Sequence, residues 1–160
     1  MDKNNRAPVK RSLELNILPS REEMGKAAAR DVSLAMKRFI KEKGEVVMVF
    51  AAAPSQNEFL ASLSKTKGID WSRVICFHLD EYVDLPRHHP NTFEVYLQEH
   101  LFSYVHPKAV YFMKALQGGA DQVARQYARL IQKSAGLDIA CIGIGENGHI
   151  AFNEPGSDLE

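Results

Sequence analysis

The sequence predicts an α/β fold: a doubly wound, mostly parallel sheet with helices on both faces, three-layer and Rossmann-like, and incomplete at its C-terminal end. Three observations predict it. The continuous apolar run at 46–50 reads as a strand covered on both faces, and mainly apolar stretches at 74–79, 110–113 and 137–142 read as further strands. Stretches with helical periodicity lie between them, so strand and helix alternate along the chain. The chain then ends at Glu160, soon after the last strand and its loop, with no further element to close the sheet.

The elements follow in order. Residues 1–12 are polar and basic and are expected to be loose. Ser20-Arg21-Glu22-Glu23 has the form of a capping box, in which the Ser20 hydroxyl and the Glu23 carboxylate each cap a backbone N–H. Met24, Ala28, Val32, Ala35, Met36 and Phe39 then mark one helix face, Lys41 and Lys43 suit the C-terminal end, and Gly44 stops it. The strand Val46–Phe50 runs into a turn of small residues, Ala51-Ala52-Ala53-Pro54, and a short helix over 55–65. The strand Val74–Leu79 opens into a polar loop, 80–90, before a helix at 91–104 that Asn91 and Glu94 are expected to cap. A short strand, Val110–Met113, precedes a helix at 119–134 with Val123, Tyr127, Leu130 and Ile131 on one face. The last strand spans Leu137–Ile142. No repeat, low-complexity tract or linker interrupts the series, so one domain over 1–160 is expected.

Composition narrows the class of function. The 160 residues are about 45% apolar and a quarter charged, with twenty basic and twenty acidic side chains. Such a balance lacks the basic field that nucleic acid or an anionic membrane selects, so neither is expected as a partner. No run approaches the ~18 apolar residues of a membrane span, and the polar N-terminus does not resemble a signal peptide. The cytoplasm is the expected location. Cys76 and Cys141 lie inside apolar runs and read as buried, reduced core thiols.

In a parallel sheet of this kind, ligands bind at the carboxyl ends of the strands. The loops after residues 50, 79 and 142 are therefore the ones to examine, and the most unusual stretches of the chain fall there. Gly143-Ile144-Gly145-Glu146-Asn147-Gly148 matches G-x-G-x-x-G after a strand. A dinucleotide fingerprint should open a long helix and meet an acid ~20 residues on. Asn153, Pro155 and Gly156 break any helix at once, so the glycines are read instead as letting the backbone turn and approach a ligand. In Gly148-His149-Ile150-Ala151-Phe152-Asn153-Glu154-Pro155, a histidine and a carboxylate five residues on can form a proton-transfer pair, the glutamate orienting the imidazole and favouring its charged form. The alternative is a surface histidine beside an unrelated glutamate. Asp80 and Glu81 sit at the mouth of a buried strand, where desolvation of at least one would tune it toward a general base. A helix or turn cap is the equal alternative. His78, His88 and His89 make an incomplete metal set at no recognised spacing, and solvated loop histidines are the favoured reading.

Together these loops resemble the glucosamine-6-phosphate deaminase family, also called glucosamine/galactosamine-6-phosphate isomerases. The resemblance rests on Leu79-Asp80-Glu81-Tyr82-Val83-Asp84-Leu85-Pro86 with His89-Pro90, and on the run Gly143–Gly156. It covers roughly residues 20–160. The related phosphogluconolactonases share a G-x-G-x-D-G-H core but do not usually continue as residues 151–155 do here. The resemblance implies conversion of an aminosugar phosphate to a ketose phosphate and ammonia, with no cofactor and no metal. It implies that His149 helps open the sugar ring, that Glu154 holds and tunes it, and that Asp80 carries a proton between C2 and C1. Asn147 joins this catalytic set, and Ala52, Ala53, Ser55, Glu81 and Gly145 form the expected binding set. A homo-oligomer is compatible with the resemblance.

Two positions depart from the family pattern. Asn147 stands where an aspartate usually precedes the Gly-His pair, and it accepts a hydrogen bond without supplying negative charge. Ala51-Ala52-Ala53-Pro54 stands where the family has Gly-Gly-Ser/Thr-Pro. Alanine resists positive φ and Ala53 lacks the hydroxyl, so Ser55 or the N–H groups of the next helix would have to compensate. Two other readings stay open: a catalytically weak homologue that senses a sugar phosphate, and a 6-phosphogluconolactonase-like hydrolase.

Overall fold

The computed structural model describes residues 13–158; the expectation for residues 1–12 lies outside the described residues. Four parallel strands, β1 (Val46–Phe50), β2 (Val74–His78), β3 (Ala109–Tyr111) and β4 (Ile139–Cys141), form one sheet in the order β3-β2-β1-β4. The chain builds outward from β1 through β2 to β3, then returns to add β4 on the other side of β1. The order reverses between β1 and β4, and this is where a doubly wound sheet opens a crevice at its carboxyl edge.

Alternation along the strands sends side chains to two cores. Val46, Met48 and Phe50, with Val74 and Cys76, pack under helices α1 (Arg21–Lys43), α2 (Asn57–Ser64) and α3 (Phe93–Leu97). Val47, Val49, Ile75 and Phe77 pack on the opposite face against Tyr127, Leu130 and Ile131 of α4 (Ala120–Lys133). The three-layer arrangement follows. Both cysteines are buried and free, and burial raises both thiols, Cys141 to about 12.

The strand ends are a residue or two shorter than the apolar runs suggest, and three helices differ in ways that matter. First, α1 presents Gly25, Ala29, Ser33 and Met36 to the interior, a face rotated from the expected one; Ala28 is exposed and Met24 is 47% exposed. The small residues let α1 lie close against α2. A Cβ on Gly25 would stand 2.6 Å from the Cα-attached carbonyl carbon and the Cβ of Glu58. Half of the predicted capping box forms: Ser20 Oγ accepts from Glu23 N–H at 3.2 Å, while the Glu23 carboxylate accepts from Lys26. Gly44 closes the helix at φ 85°. Second, the helix after β1 starts as a 3-10 turn, Pro54–Gln56. Third, the helix expected at 91–104 is α3 followed by a π-helical segment, Gln98–Phe102. Its N-cap is Thr92, whose hydroxyl accepts from Val95 N–H, and Glu94 is buried instead of capping.

Backbone hydrogen bonds continue the ladder beyond the strands. Ala51 N–H donates to Cys141 O at 2.8 Å, and Leu79 N–H donates to Phe50 O at 2.9 Å. They bring the residues after β1, β2 and β4 to one edge of the sheet. Among the described residues, no helix is long and apolar enough to cross a membrane.

Candidate active site

A cavity of about 490 Å³ opens at that edge. Asp80 enters it from the end of β2, the Ala51–Ser55 turn from β1, and Gly145, Glu146 and His149 from the loop after β4. Of the residues expected from sequence, Asp80, His149, Ala52, Ala53, Ser55 and Gly145 line this one space. Burial raises the Asp80 carboxyl above its ordinary range, and the neighbouring charge of Glu81 raises it further. A base at a strand mouth is expected to behave so.

His149 is held from below and from the side. The loop after β4 folds back on itself through isolated antiparallel pairings of Ile150 with Ile144 and with Asn153. Gly145 N–H donates to His149 O at 2.8 Å, and the imidazole lies over Gly145 so closely that a Cβ there would be 2.1–2.4 Å from three ring atoms. The reason for glycine at 145 is thus room for the His149 ring; the backbone there does not need positive φ. Glu154 reaches His149 chiefly through Asn147. Asn147 Nδ2 donates to Glu154 Oε2, and Asn147 Oδ1 lies 2.7 Å from His149 Nδ1; Glu154 Oε1 is 3.8 Å from the same nitrogen. The chemistry of the donors fixes the direction of this relay. An ionised carboxylate only accepts, so the amide must point its NH2 group at Glu154 and its oxygen at the imidazole. That oxygen also accepts from the backbone N–H of His149, so Asn147 fixes the orientation of the ring through Nδ1 and leaves Nε2 without a partner among the described residues. Glu154 thus holds the imidazole through a chain of three residues, in keeping with the expected pairing. Neither Glu154 nor Asn147 lines the cavity.

Glu81 does not line it either. Its Oε1 accepts from the N–H groups of Tyr82 and Phe93, and its Oε2 from Glu94 N–H, so it caps the start of α3 from outside the helix. The expected place of Glu81 among the binding residues is therefore corrected: its contribution to the cavity is its charge beside Asp80. The alanine turn is corrected as well. Ala51, Ala52 and Ala53 all avoid positive φ, and Ala53 is extended at φ −158°, so alanine carries no backbone strain here. The turn is clamped from both sides by residues that local patterning did not mark. Tyr96 OH lies 2.6 Å from Ala53 O, and Arg21 Nη2 donates to Pro54 O at 2.8 Å. Ser55 packs beside Gly143, where a Cβ would stand 3.1 Å from its Oγ.

The sequence reading also missed an aromatic wall. Phe93 and Phe152 line the cavity, stack on one another at 6.1 Å between centroids, and share Tyr82 as a neighbour. Long sequence separation hides this group from any local pattern. The histidines of the metal alternative are scattered. His78 is fully buried between the rings of Phe112 and Tyr127, with neither ring nitrogen hydrogen-bonded, and burial lowers it to about 4. It is a core residue and not a solvated loop histidine. His89 Nδ1 accepts from Asn91 N–H. Among the described residues, no three His, Cys, Asp or Glu side chains group as a metal set.

Comparison with known proteins agrees with this geometry. The family described as glucosamine-6-phosphate isomerases/6-phosphogluconolactonase matches residues 19–158. A glucosamine-6-phosphate deaminase 2 of Giardia intestinalis is 43% identical over 100 residues, covering 61% of this chain and 38% of the relative. A glucosamine-6-phosphate deaminase of a Thermoanaerobacter species is 35% identical over 144 residues, covering 87% of this chain and 55% of the relative. Among solved structures, a monomeric glucosamine-6-phosphate deaminase superposes with a TM-score of 0.76 at 27% identity, over 87% of this chain and 58% of that one. A 6-phosphogluconolactonase from Shewanella baltica shares the fold, with a TM-score of 0.74 at 18% identity over 86% of this chain and 59% of that one. The chain spans about half the length of the curated relatives it matches. A match over nearly all the described residues, with the Asp80 and His149 loops meeting in one cavity, places the chain in the glucosamine-6-phosphate isomerase/6-phosphogluconolactonase family.

Proposed function

We propose that this site performs aldose–ketose isomerisation with deamination, taking glucosamine 6-phosphate and water to fructose 6-phosphate and ammonia. The observation that carries the reading is the convergence of two proton-handling groups on one cavity: Asp80, and a His149 whose ring is oriented through Nδ1 by the Asn147–Glu154 relay. His149 Nε2 moves the proton between the ring hydroxyl and the ring oxygen, opening the sugar. Asp80 then removes the C2 proton, which is acidic beside the C1 aldehyde, and returns it to C1, while one proton passes from the C2 ammonium to O1, which becomes the C1 hydroxyl. The resulting C2 imine takes up water and releases ammonia. Each such proton transfer is typically worth about 10²–10⁴-fold in rate. The raised carboxyl of Asp80 supports its role as base, because it brings its proton affinity closer to that of the carbon acid.

The reading carries with it a free sugar phosphate as ligand, no redox cofactor, one domain over the chain and a cytoplasmic location. The test is ammonia release from glucosamine 6-phosphate. Turnover that Asp80→Asn abolishes without unfolding the chain is the expected result. A second reading, a sugar-phosphate sensor, draws on the missing hydroxyl at Ala53. Thermal stabilisation by the sugar phosphate without ammonia release would favour it, and acid release from 6-phosphogluconolactone would favour a lactonase.

A further inference from the structure

We propose that Arg21 binds the phosphate group of the substrate, supplying the contact that the alanine turn cannot. The inference rests on the sugar-phosphate reading above and adds a residue to it. Arg21 is the first residue of α1 and lines the same cavity as Asp80 and His149. Its position follows from the close crossing of α1 and α2 at Gly25, which brings the N-terminal end of α1 down onto the Pro54–Glu58 segment. There the guanidinium is fixed on one edge. Nε donates to Glu58 Oε1 at 3.0 Å, and Nη2 donates to Glu58 Oε2 and to Pro54 O, each at 2.8 Å.

A guanidinium is planar and carries five N–H groups. With Nε and Nη2 committed, the two N–H groups of Nη1 have no acceptor among the described residues, and the rigid plane fixes where they point. Among the described residues lining the cavity, Arg21 is the one lysine or arginine, and Asp80 and Glu146 carry the opposite charge. A phosphate ester entering this space therefore meets a single cation. That cation donates to Pro54 O, next to Ala51, Ala52 and Ala53, which offer no side-chain donor. Arginine is well suited to such a contact, because its N–H groups match phosphate oxygens in direction and charge. Glu58 holds the guanidinium in place beside the turn.

The test is an NMR titration of the 160-residue chain with glucosamine 6-phosphate and, separately, with unphosphorylated glucosamine, run alongside steady-state kinetics. The amides of Ala51–Ala53 and Ser55 should shift with the phosphorylated sugar. Arg21→Ala should weaken its binding by on the order of tenfold or more, through KM and not kcat, and leave glucosamine binding unchanged. Glu58→Gln cuts the same ion pair but keeps the cation, so it should retain the phosphate preference. An equal loss for both sugars, an equal loss in Glu58→Gln, or no loss in Arg21→Ala would overturn the assignment. A wild-type chain that binds neither sugar would overturn the functional reading together with it. Wild-type binding that ignores Arg21 would overturn the Arg21 assignment alone.

Discussion

Replacing Gly145 with alanine separates the catalytic geometry from the stability of the fold. The added Cβ would stand 2.1–2.4 Å from Cε1, Nε2 and Nδ1 of His149, well inside van der Waals contact. Position 145 is not in the left-handed region, so the backbone accepts alanine, and the imidazole is what must yield. Displacing the ring breaks the 2.7 Å contact between Nδ1 and Asn147 Oδ1 and with it the orientation of the ring. A general acid–base contribution of about 10²–10⁴-fold is then at risk, so kcat for ammonia release should fall by at least about a hundredfold. The loop is exposed, and stability should change by less than about 1 kcal/mol. Gly148→Ala is the control. Gly148 has φ 89° and nothing within 4 Å of an added Cβ, so alanine there costs about 1–2 kcal/mol of backbone strain without touching the ring. The assay is ammonia release paired with thermal unfolding for both variants. A Gly145→Ala enzyme within threefold of wild type would refute the argument that this glycine makes room for a working His149.

Further outcomes follow from the same structure. Glu81→Gln should move the acid limb of kcat/KM to lower pH, because removing the charge beside Asp80 lowers a carboxyl that burial and Glu81 both raise; an unmoved limb counts against Asp80 as the base. His78 binds its proton only near pH 4 when folded but near 6.5 when unfolded, so stability is lost as pH falls from 6.5 toward 4. At 1.36 kcal/mol per unit this is roughly 3 kcal/mol, and denaturant titrations of His78→Leu across that range should show a correspondingly flatter pH dependence. Gly25→Ala should destabilise by about 1–3 kcal/mol, as α1 and α2 are forced apart, measurable as a lower urea midpoint.

What sequence could show of this protein is set by the range of each interaction. The central strands were legible because a buried parallel strand is mainly apolar: β1 is apolar at every position and β2 at all but His78, and both are buried throughout. The loops bearing Asp80 and His149 were legible because their residue types are unusual at strand ends. The face of α1 was misjudged because Gly25, Ala29 and Ser33 carry little hydrophobic signal, although small residues are what a close helix crossing requires. A cap was the open alternative for the Asp80–Glu81 pair and holds for Glu81, but the helix it caps lies 12 and 13 residues on and could not be named from the sequence. The relay through Asn147 depends on a loop that doubles back, with Ala151 at φ 55°. Asn147 looked like a lost charge, but its amide can donate to one neighbour while it accepts from the other, a bridge that an ionised aspartate cannot make. The clamp on the alanine turn joins residues 33 and 43 positions apart and left no local mark.

On the proposed function, Asp80 and His149 act in one cavity to move a proton from C2 to C1 of an aminosugar phosphate. The most direct measurement is proton NMR of the fructose 6-phosphate formed from glucosamine 6-phosphate in D2O. The C1 methylene of the product should receive its new hydrogen from Asp80, as protium carried over from C2 or as deuterium where the carboxyl exchanges with solvent first, and Asp80→Asn should form no product. An Asp80→Asn chain that still releases ammonia at the wild-type rate would contradict the account.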